Sequence, residues 1–201
     1  MRLHALAPAK VNLCLFLGAA RPDHRHELVT LFQSLSLSDT LTLSTLATGE
    51  RDEVICAGVD GVNLAAGAFA ALRAHGWDGP PVRLEIDKRI PIAAGMAGGS
   101  ADAAGALRLA LALDCGVRPS AAELDAIAAS LGADVPAQLV PGLAIGRGAG
   151  ELVEHVDQLA PHAFVVLPSQ LPLSTADVSG RELASVPPSV DDVPPELLLH
   201  A

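Results

Sequence analysis

The sequence predicts an α+β fold in which a mixed or antiparallel sheet supports several helices. Two features of the 201-residue chain predict it: the first half is dominated by the alternating apolar pattern of strands, and helical spacing of apolar residues follows. A third feature, a hydrophobic fraction of 50%, is ample for a buried core. The chain is therefore expected to be globular.

Strands are predicted first near the N-terminus, where alternation combines with β-branched and aromatic residues in "KVNLCLFLGA", "LVTLFQSLSL" and "DTLTLSTL". These stretches suggest antiparallel pairing. Later strands are predicted in "PVRLEI", in the glycine-broken pair "GLAIGRGAGELVEHV", and in "HAFVVLP".

Helices are predicted at three places. The first is "GVNLAAGAFAALRAHGW", which ends at Gly76. The second runs from Ala101 to about Asp114. The third begins where Ser120 and Glu123 have capping-box spacing, and Gly132 supplies its stop. From residue 186 the chain becomes a proline-rich linker with a helix-like start at residues 195–196, so we expect the sequence to be incomplete at its C-terminus.

The overall charge and the cysteines restrict the partners and the compartment. A formal net charge of -10 argues against binding nucleic acid or anionic membranes, and the lysines are only Lys10 and Lys88. The absence of a signal-peptide core and of a membrane-spanning apolar run predicts a cytoplasmic protein. The spacing of Cys14, Cys56 and Cys115 matches neither a zinc site nor a redox dithiol, so they are interpreted as buried or bystander thiols.

A loop of small residues stands directly before the second helix, in "KRIPIAAGMAGGSADAAGALRLALAL". A glycine-rich loop that runs into a helix N-terminus presents unpaired N–H groups, which form a phosphate cradle. Gly95, Gly98 and Gly99 allow close approach of a ligand, and Ser100 could cap the helix or offer its hydroxyl to a phosphate or metal. The alternative is a tight turn whose small residues only permit close packing.

Two further stretches supply polar groups for chemistry on a phosphate. Lys10 in "APAKVN" starts a strand with Asn12 on the same face, and Asp134 in "GADVPAQL" follows a helix stop. Taken singly, these are an exposed lysine and a turn aspartate. Together with a phosphate cradle they make the minimal set for phosphoryl transfer to an alcohol, in which the carboxylate takes the hydroxyl proton and the lysine stabilises developing charge.

The chain resembles the GHMP kinase superfamily, and within it the branch that phosphorylates 4-diphosphocytidyl-2-C-methyl-D-erythritol. The matching segments, in order, are "APAKVNLCL", "RPDHRHELVTLFQSLSLSDTL", "GVNL", "KRIPIAAGMAGGSADAA" and "LGADVPAQL". The resemblance implies a GHMP kinase-type fold with an N-terminal domain over residues 1–156 and an incomplete second α+β domain over residues 157–201. The family's C-terminal glycine motif is missing from this sequence.

The resemblance also implies the reaction: ATP-dependent phosphorylation of the 2-hydroxyl of that substrate in non-mevalonate isoprenoid (terpenoid) biosynthesis, with Mg²⁺ shielding the phosphates. Two alternatives stay open, another GHMP small-molecule kinase and a non-catalytic nucleotide-binding remnant. Whether the protein is a monomer or a homodimer is also open.

The resemblance assigns roles to particular residues. Lys10 and Asp134 are the implied catalytic pair, and Asn12, His26 and Thr175 are the implied substrate contacts. The implied ATP-binding residues are Pro91, Ile92, Ala93, Ala94, Gly95, Met96, Ala97, Gly98, Gly99, Ser100 and Ala101.

Three further positions bear on how the bases would be bound. Asn63 matches a position near the adenine pocket of the family but could equally be a helix N-cap. His24 and Arg25 replace the family's Gly-Tyr, and an arginine plane can also stack on a base.

Alanine occupies loop positions at which the family often has glycine or serine. A positive φ would cost each alanine about 1 to 2 kcal/mol. We therefore predict ordinary φ at these positions, which are Ala93, Ala94, Ala97 and Ala101.

Overall fold

The computed structural model describes residues 1–22, 25–59, 63–113, 117–157 and 159–167. A six-stranded sheet with four helices packed against it forms this part of the chain, which confirms the predicted α+β class. The strands are β1 (Arg2–Ala20), β2 (His26–Thr45), β3 (Glu53–Cys56), β4 (Val82–Asp87), β5 (Leu143–Arg147) and β6 (Leu152–Val156). The helices are α1 (Leu64–Ala74), α2 (Gly98–Leu111), α3 (Ala121–Leu131) and α4 (Val135–Leu139).

The long strand β2 organises the sheet. It pairs antiparallel with β1 along one edge, while its other edge is shared by β5, opposite residues 30–33, and β4, opposite residues 40–45. The hairpin β5–β6 is antiparallel, whereas β3 pairs parallel with β4, so the sheet is mixed. Residues 34–39 of β2 therefore lie where its partner strand changes, and the loop that follows β4 enters the fold beside them.

Helix α2 lies at the centre of the core. Its alanines are buried, and a Cβ built on Gly105 would stand 2.6 Å from Leu41 Cδ2 of β2. The small residues thus bring the helix backbone close to the sheet, where it packs with Phe69, Leu72 and Leu84. This packing fixes the loop that precedes α2.

Several local predictions are confirmed. Ser120 and Glu123 form the predicted capping box of α3, and Gly76 lies just past the end of α1 with a φ of +86°. The glycine-broken pair is the hairpin β5–β6. Helix α2, however, starts at Gly98, three residues before the predicted start.

One strand prediction is wrong. Residues 162–167 of "HAFVVLP" form no strand, and Val165 and Leu167 are 88% and 86% exposed. A strand requires a neighbouring backbone to pair with, and the apolar pattern does not reveal whether one is there. The converse failure is β3, a four-residue strand that the pattern did not indicate.

Three predicted features lie outside the described residues: the proline-rich linker, the helix-like start at residues 195–196 and Thr175. Among the helices that are described, none is long and apolar enough to cross a membrane.

Candidate active site

The loop between β4 and α2 adopts a strained backbone. Ala93, Gly95 and Ala97 have φ angles of +58°, +74° and +53°, in the left-handed region. The prediction of ordinary φ is therefore wrong at the two alanines, whereas Ala94 and Ala101 are not among the positive-φ residues. Such strain persists only where the surrounding structure over-determines the backbone.

The glycines of the loop serve different purposes. A Cβ on Gly98 would lie 3.1 Å from Ile90 Cγ2, so this glycine permits close packing, as the alternative interpretation proposed. Gly95 and Gly99 are exposed. A Cβ on Gly95 would meet no atom within 4 Å, and a Cβ on Gly99 would meet only Leu64 Cδ1, at 3.7 Å. Close packing therefore does not explain these two glycines, and the space above them is available to a ligand.

Ser100 does not cap α2, because Ala97 is the N-cap and makes no side-chain capping bond. Ser100 is the third residue of the helix instead, and it lines both cavities described below. The first-turn N–H groups of α2 are thus left to the loop and to a ligand, apart from Ala101, which bonds Ala97.

Lys10 is buried in β1 and is not an exposed surface lysine. Only 8% of the residue is exposed, its Nζ donates a hydrogen bond to Asn12 Oδ1 at 2.6 Å, and it lies 3.5 Å from Asp134 Oδ2. The ring of Phe32 approaches it with 5.4 Å between Nζ and the centroid. A buried ammonium group must be paired, and this one faces an acceptor, a carboxylate and an aromatic ring.

Asp134 reaches Lys10 because the chain turns sharply after α3. Gly132 ends that helix, and Asp134 is the residue that precedes α4, with Val135 and Pro136 buried behind it. The side chain of Asp134 is 35% exposed and makes no capping bond to its own helix. Its carboxylate is therefore free to face both the lysine and the cavity.

Thr30 completes the group and was missed from the sequence. It is 1% exposed; its hydroxyl donates to the Cys14 carbonyl at 2.7 Å and accepts from Asn12 Nδ2 at 2.6 Å. The bond between Asn12 Nδ2 and the Thr30 hydroxyl fixes the Asn12 amide so that its oxygen faces Lys10. A polar residue inside the apolar run "LVTLF" was the signal that could have found it.

Two cavities share the loop as a common wall. One, of about 380 Å³, lies between the loop and a side formed by Cys56, Val59, Asn63 and Leu64. The other, of about 420 Å³, is lined by the polar residues just described, which are Lys10, Asn12, Thr30 and Asp134. The residues that line both cavities are Gly95, Ala97 and Ser100. An elongated ligand could therefore run from one cavity across the loop to Lys10.

The remaining predicted contacts lie farther out. His26 begins β2, with its Nδ1 3.3 Å from the Gly18 carbonyl oxygen, and it is not among the residues around either cavity. Leu28, two residues along the same face of β2, does line the larger one. Asn63 caps α1 by accepting from Ala65 N at 2.8 Å and also lines the smaller cavity. His24 lies outside the described residues.

A buried polar cluster lies beneath the loop entrance. Lys88 Nζ donates to Asp39 Oδ2 at 2.5 Å and to Asp102 Oδ2 at 2.8 Å. Burial raises the pKa of Asp102 to about 6, against the lowering effect of Lys88. Burial would lower the pKa of Lys88, but its hydrogen bonds to the two carboxylates raise it above the usual value.

Comparison with known proteins shows which family the chain resembles. A family model described as the GHMP kinases N terminal domain matches residues 63–142. The chain is 46% identical over 166 residues to 4-diphosphocytidyl-2-C-methyl-D-erythritol kinase of Streptomyces coelicolor, covering 78% of this chain and 54% of the relative. It is 43% identical over 206 residues to the enzyme of the same name from Rhodococcus jostii, covering 97% of this chain and 64% of the relative.

The chain belongs to the GHMP kinase family. A crystal structure of 4-(cytidine 5'-diphospho)-2C-methyl-D-erythritol kinase also matches with a TM-score of 0.62 and 40% identity, over 77% of this chain and 55% of that one. The GHMP kinase-type fold expected from the sequence is thereby confirmed. The chain spans about half to two thirds of the length of the curated relatives it matches.

Proposed function

We propose that this GHMP kinase chain transfers the γ-phosphoryl group of ATP to the 2-hydroxyl of 4-diphosphocytidyl-2-C-methyl-D-erythritol. The observation that carries the proposal is the meeting of three elements at one cavity: the glycine loop, the buried Lys10 and the Asp134 carboxylate. The names of the relatives supply the choice of substrate. The reaction belongs to isoprenoid (terpenoid) biosynthesis.

In this proposal the ATP phosphates lie along the loop, bound by the backbone N–H groups at the start of α2. The base would occupy the smaller cavity, beside Asn63 and Leu64, and the γ-phosphate would reach Ser100 at the wall of the larger one. A chain with a net charge of -10 needs such local groups to bind an anion.

Asp134 acts as the general base in this mechanism. Its carboxylate accepts the proton of the substrate hydroxyl as that oxygen attacks the γ-phosphorus of ATP, and ADP leaves. Lys10 pairs with Asp134 and stabilises the charge that develops on the transferred group. Asn12, fixed by Thr30, orients the ammonium group of Lys10 from the other side.

Mg²⁺ is the expected metal, and an oxygen donor on the wall shared by the two cavities suits it. Mg²⁺ usually binds one or two protein oxygens together with substrate phosphates. The Ser100 hydroxyl is the protein oxygen that would contribute. The ion would neutralise charge on the phosphates of ATP.

The alcohol substrate would enter the larger cavity, past Leu15 and Leu28. His26, on the same face of β2 as Leu28, extends that surface toward the cytidine end of the substrate, and Arg25 next to it would stack on the base. Thr175 would add a contact from a second domain after residue 156. The proposal includes a cytoplasmic location, where ATP is abundant and thiols such as Cys14 stay reduced.

A turnover assay with a substrate panel tests the proposal. ADP release is measured with 4-diphosphocytidyl-2-C-methyl-D-erythritol, mevalonate and homoserine, beside calorimetry with Mg·ATP. We expect turnover with the first alcohol alone. Turnover with another alcohol would favour a different GHMP kinase activity, and nucleotide binding without any turnover would favour a non-catalytic nucleotide-binding module.

The role of Asp134 is tested by Asp134→Asn, which should lower kcat by about 10² to 10⁴-fold while nucleotide affinity changes little. The matched control is Asp125→Asn, since Asp125 is an exposed aspartate on α3 away from the loop. Near-normal turnover in Asp134→Asn would refute the assignment of the base.

A further inference from the structure

Asp39 connects β2 to the start of the loop between β4 and α2. The residue is 0% exposed, and its Oδ1 accepts hydrogen bonds from the backbone N–H groups of Arg89 at 2.6 Å and Ile90 at 2.8 Å. It lies at the point of β2 between the segments paired with β5 and β4. On the edge of β2 that β5 and β4 share, neither strand pairs with residues 34–39. The Asp39 side chain accepts hydrogen bonds from the loop backbone there instead.

Lys88 extends this connection to the far side of the loop. Its ammonium group bridges Asp39 on β2 and Asp102, which lies in the second turn of α2. The three side chains, which we call the loop clamp, therefore tie one strand to both ends of the loop. The clamp is largely buried, since the side chains of Asp39, Lys88 and Asp102 are 0%, 14% and 3% exposed.

The loop itself supplies little of its own stability. Residues 91–95 are exposed, and the positive φ angles of Ala93 and Ala97 are unfavourable for alanine. A buried ion cluster is an expensive way to stabilise a fold, because desolvation offsets much of the attraction. A buried polar network does, however, restrict the groups it bonds to one geometry. In this one both oxygens of Asp39 and one of Asp102 accept hydrogen bonds, and Asp102 Oδ1 has no partner among the described residues. The cost of the clamp is thus best explained by the geometry it imposes on the loop.

We propose that Asp39 is a positioning residue that, with Lys88 and Asp102, holds the loop in the conformation that binds the nucleotide phosphates. The nucleotide part of this inference rests on the proposed function. The ordering of the loop does not, since it depends only on contacts within the chain.

Hydrogen exchange tests the ordering without any nucleotide. Asp39→Asn keeps the size of the side chain but removes the charge that holds Lys88. The matched control is Asp52→Asn: Asp52 also joins a cation and a backbone N–H group, with Arg73 and Val82 as its partners, away from the loop. We expect at least 10-fold faster exchange in peptides covering residues 89–101 of Asp39→Asn, and no change there in Asp52→Asn.

Calorimetry with Mg·AMPPNP provides the second measurement. The Kd should rise at least 10-fold in Asp39→Asn and stay within twofold in Asp52→Asn, even where the control lowers Tm as much. A purely structural role of Asp39 would give equal effects on affinity at equal loss of Tm. If the native sequence binds no nucleotide, the proposed function fails, and the exchange measurement still decides the clamp.

The outcomes that overturn the inference are distinct. Unchanged exchange of residues 89–101 in Asp39→Asn would refute the clamp, and faster exchange with unchanged Kd would refute its role in nucleotide binding. Should Asp39→Asn fail to fold, Lys88→Gln replaces it, because Asp39 then keeps its two backbone donors while the link to α2 is weakened. The same faster exchange is required of that variant.

Discussion

The strained alanines of the loop allow a sharp test of its backbone conformation. Ala93 and Ala94 are neighbours of the same residue type, and both are exposed. They differ in backbone conformation, since Ala93 has a φ of +58° and Ala94 is not among the positive-φ residues. Replacing each by glycine therefore separates backbone strain from the general effect of adding a glycine.

The size of the difference follows from two opposing terms. A left-handed backbone costs alanine about 1 to 2 kcal/mol, which Ala93→Gly would relieve. Glycine also raises the entropy of the unfolded chain, which costs about 0.4 to 1 kcal/mol in either variant. Ala94→Gly should thus lower the free energy of unfolding by about 0.4 to 1 kcal/mol, whereas Ala93→Gly should leave it unchanged or raise it by up to about 1.5 kcal/mol.

Urea unfolding at 25 °C measures both variants against the native sequence. The quantity that matters is the difference between the two variants, about 1 to 2 kcal/mol in favour of Ala93→Gly, because the entropy term cancels. Equal destabilisation by both substitutions would show that Ala93 is not strained and that the fold does not impose an unfavourable conformation on the loop.

Three further predictions concern polar groups that are buried or partly buried. Thr30→Val removes the hydroxyl that fixes the Asn12 amide, so kcat should fall about tenfold with little change in nucleotide affinity, as steady-state kinetics and calorimetry would show. Asn63→Ala removes the N-cap of α1 and should cost about 1 kcal/mol in urea unfolding. Burial raises the pKa of Asp102 from 3.8 to about 6, so its contribution to stability is present below pH 3.8 and is lost as pH rises through 6. The native sequence should therefore lose about 2 to 3 kcal/mol relative to Asp102→Asn between pH 4 and pH 7, and parallel pH profiles would contradict this.

Features set by short-range chemistry were predictable from the sequence. The capping box at Ser120 and Glu123 satisfies two backbone donors within one turn, so its pattern carries its own explanation. The β5–β6 hairpin is similar, because the glycines that interrupt the alternation are the ones at its turn, with Gly148 and Gly150 at φ of +72° and +110°.

Features that depend on distant partners were not predictable from local pattern. Lys10 and Asp134 are far apart in the sequence; their chemistry suggested a shared role, and the resemblance to a known family implied that they form a pair. A strand was predicted at residues 162–167 and is not there, whereas β3 was not predicted and is present. Both errors have the same cause, since a strand forms only where another strand is available to pair with it. The positive φ of Ala93 and Ala97 was likewise not visible in the local sequence pattern.

The irregular part of the β1–β2 ladder explains why the loop and the lysine meet. The register shifts between Pro8 and Lys10, and the backbone N–H of Lys10 donates to the Met96 carbonyl of the loop at 3.1 Å. Met96 and Ile90 are buried against Ala9 at the same place. The strand that carries the ammonium group is therefore hydrogen-bonded to the loop itself, and a bulge of this kind redirects side chains locally. The distance between Lys10 and the loop is thus set by a hydrogen bond between backbone groups.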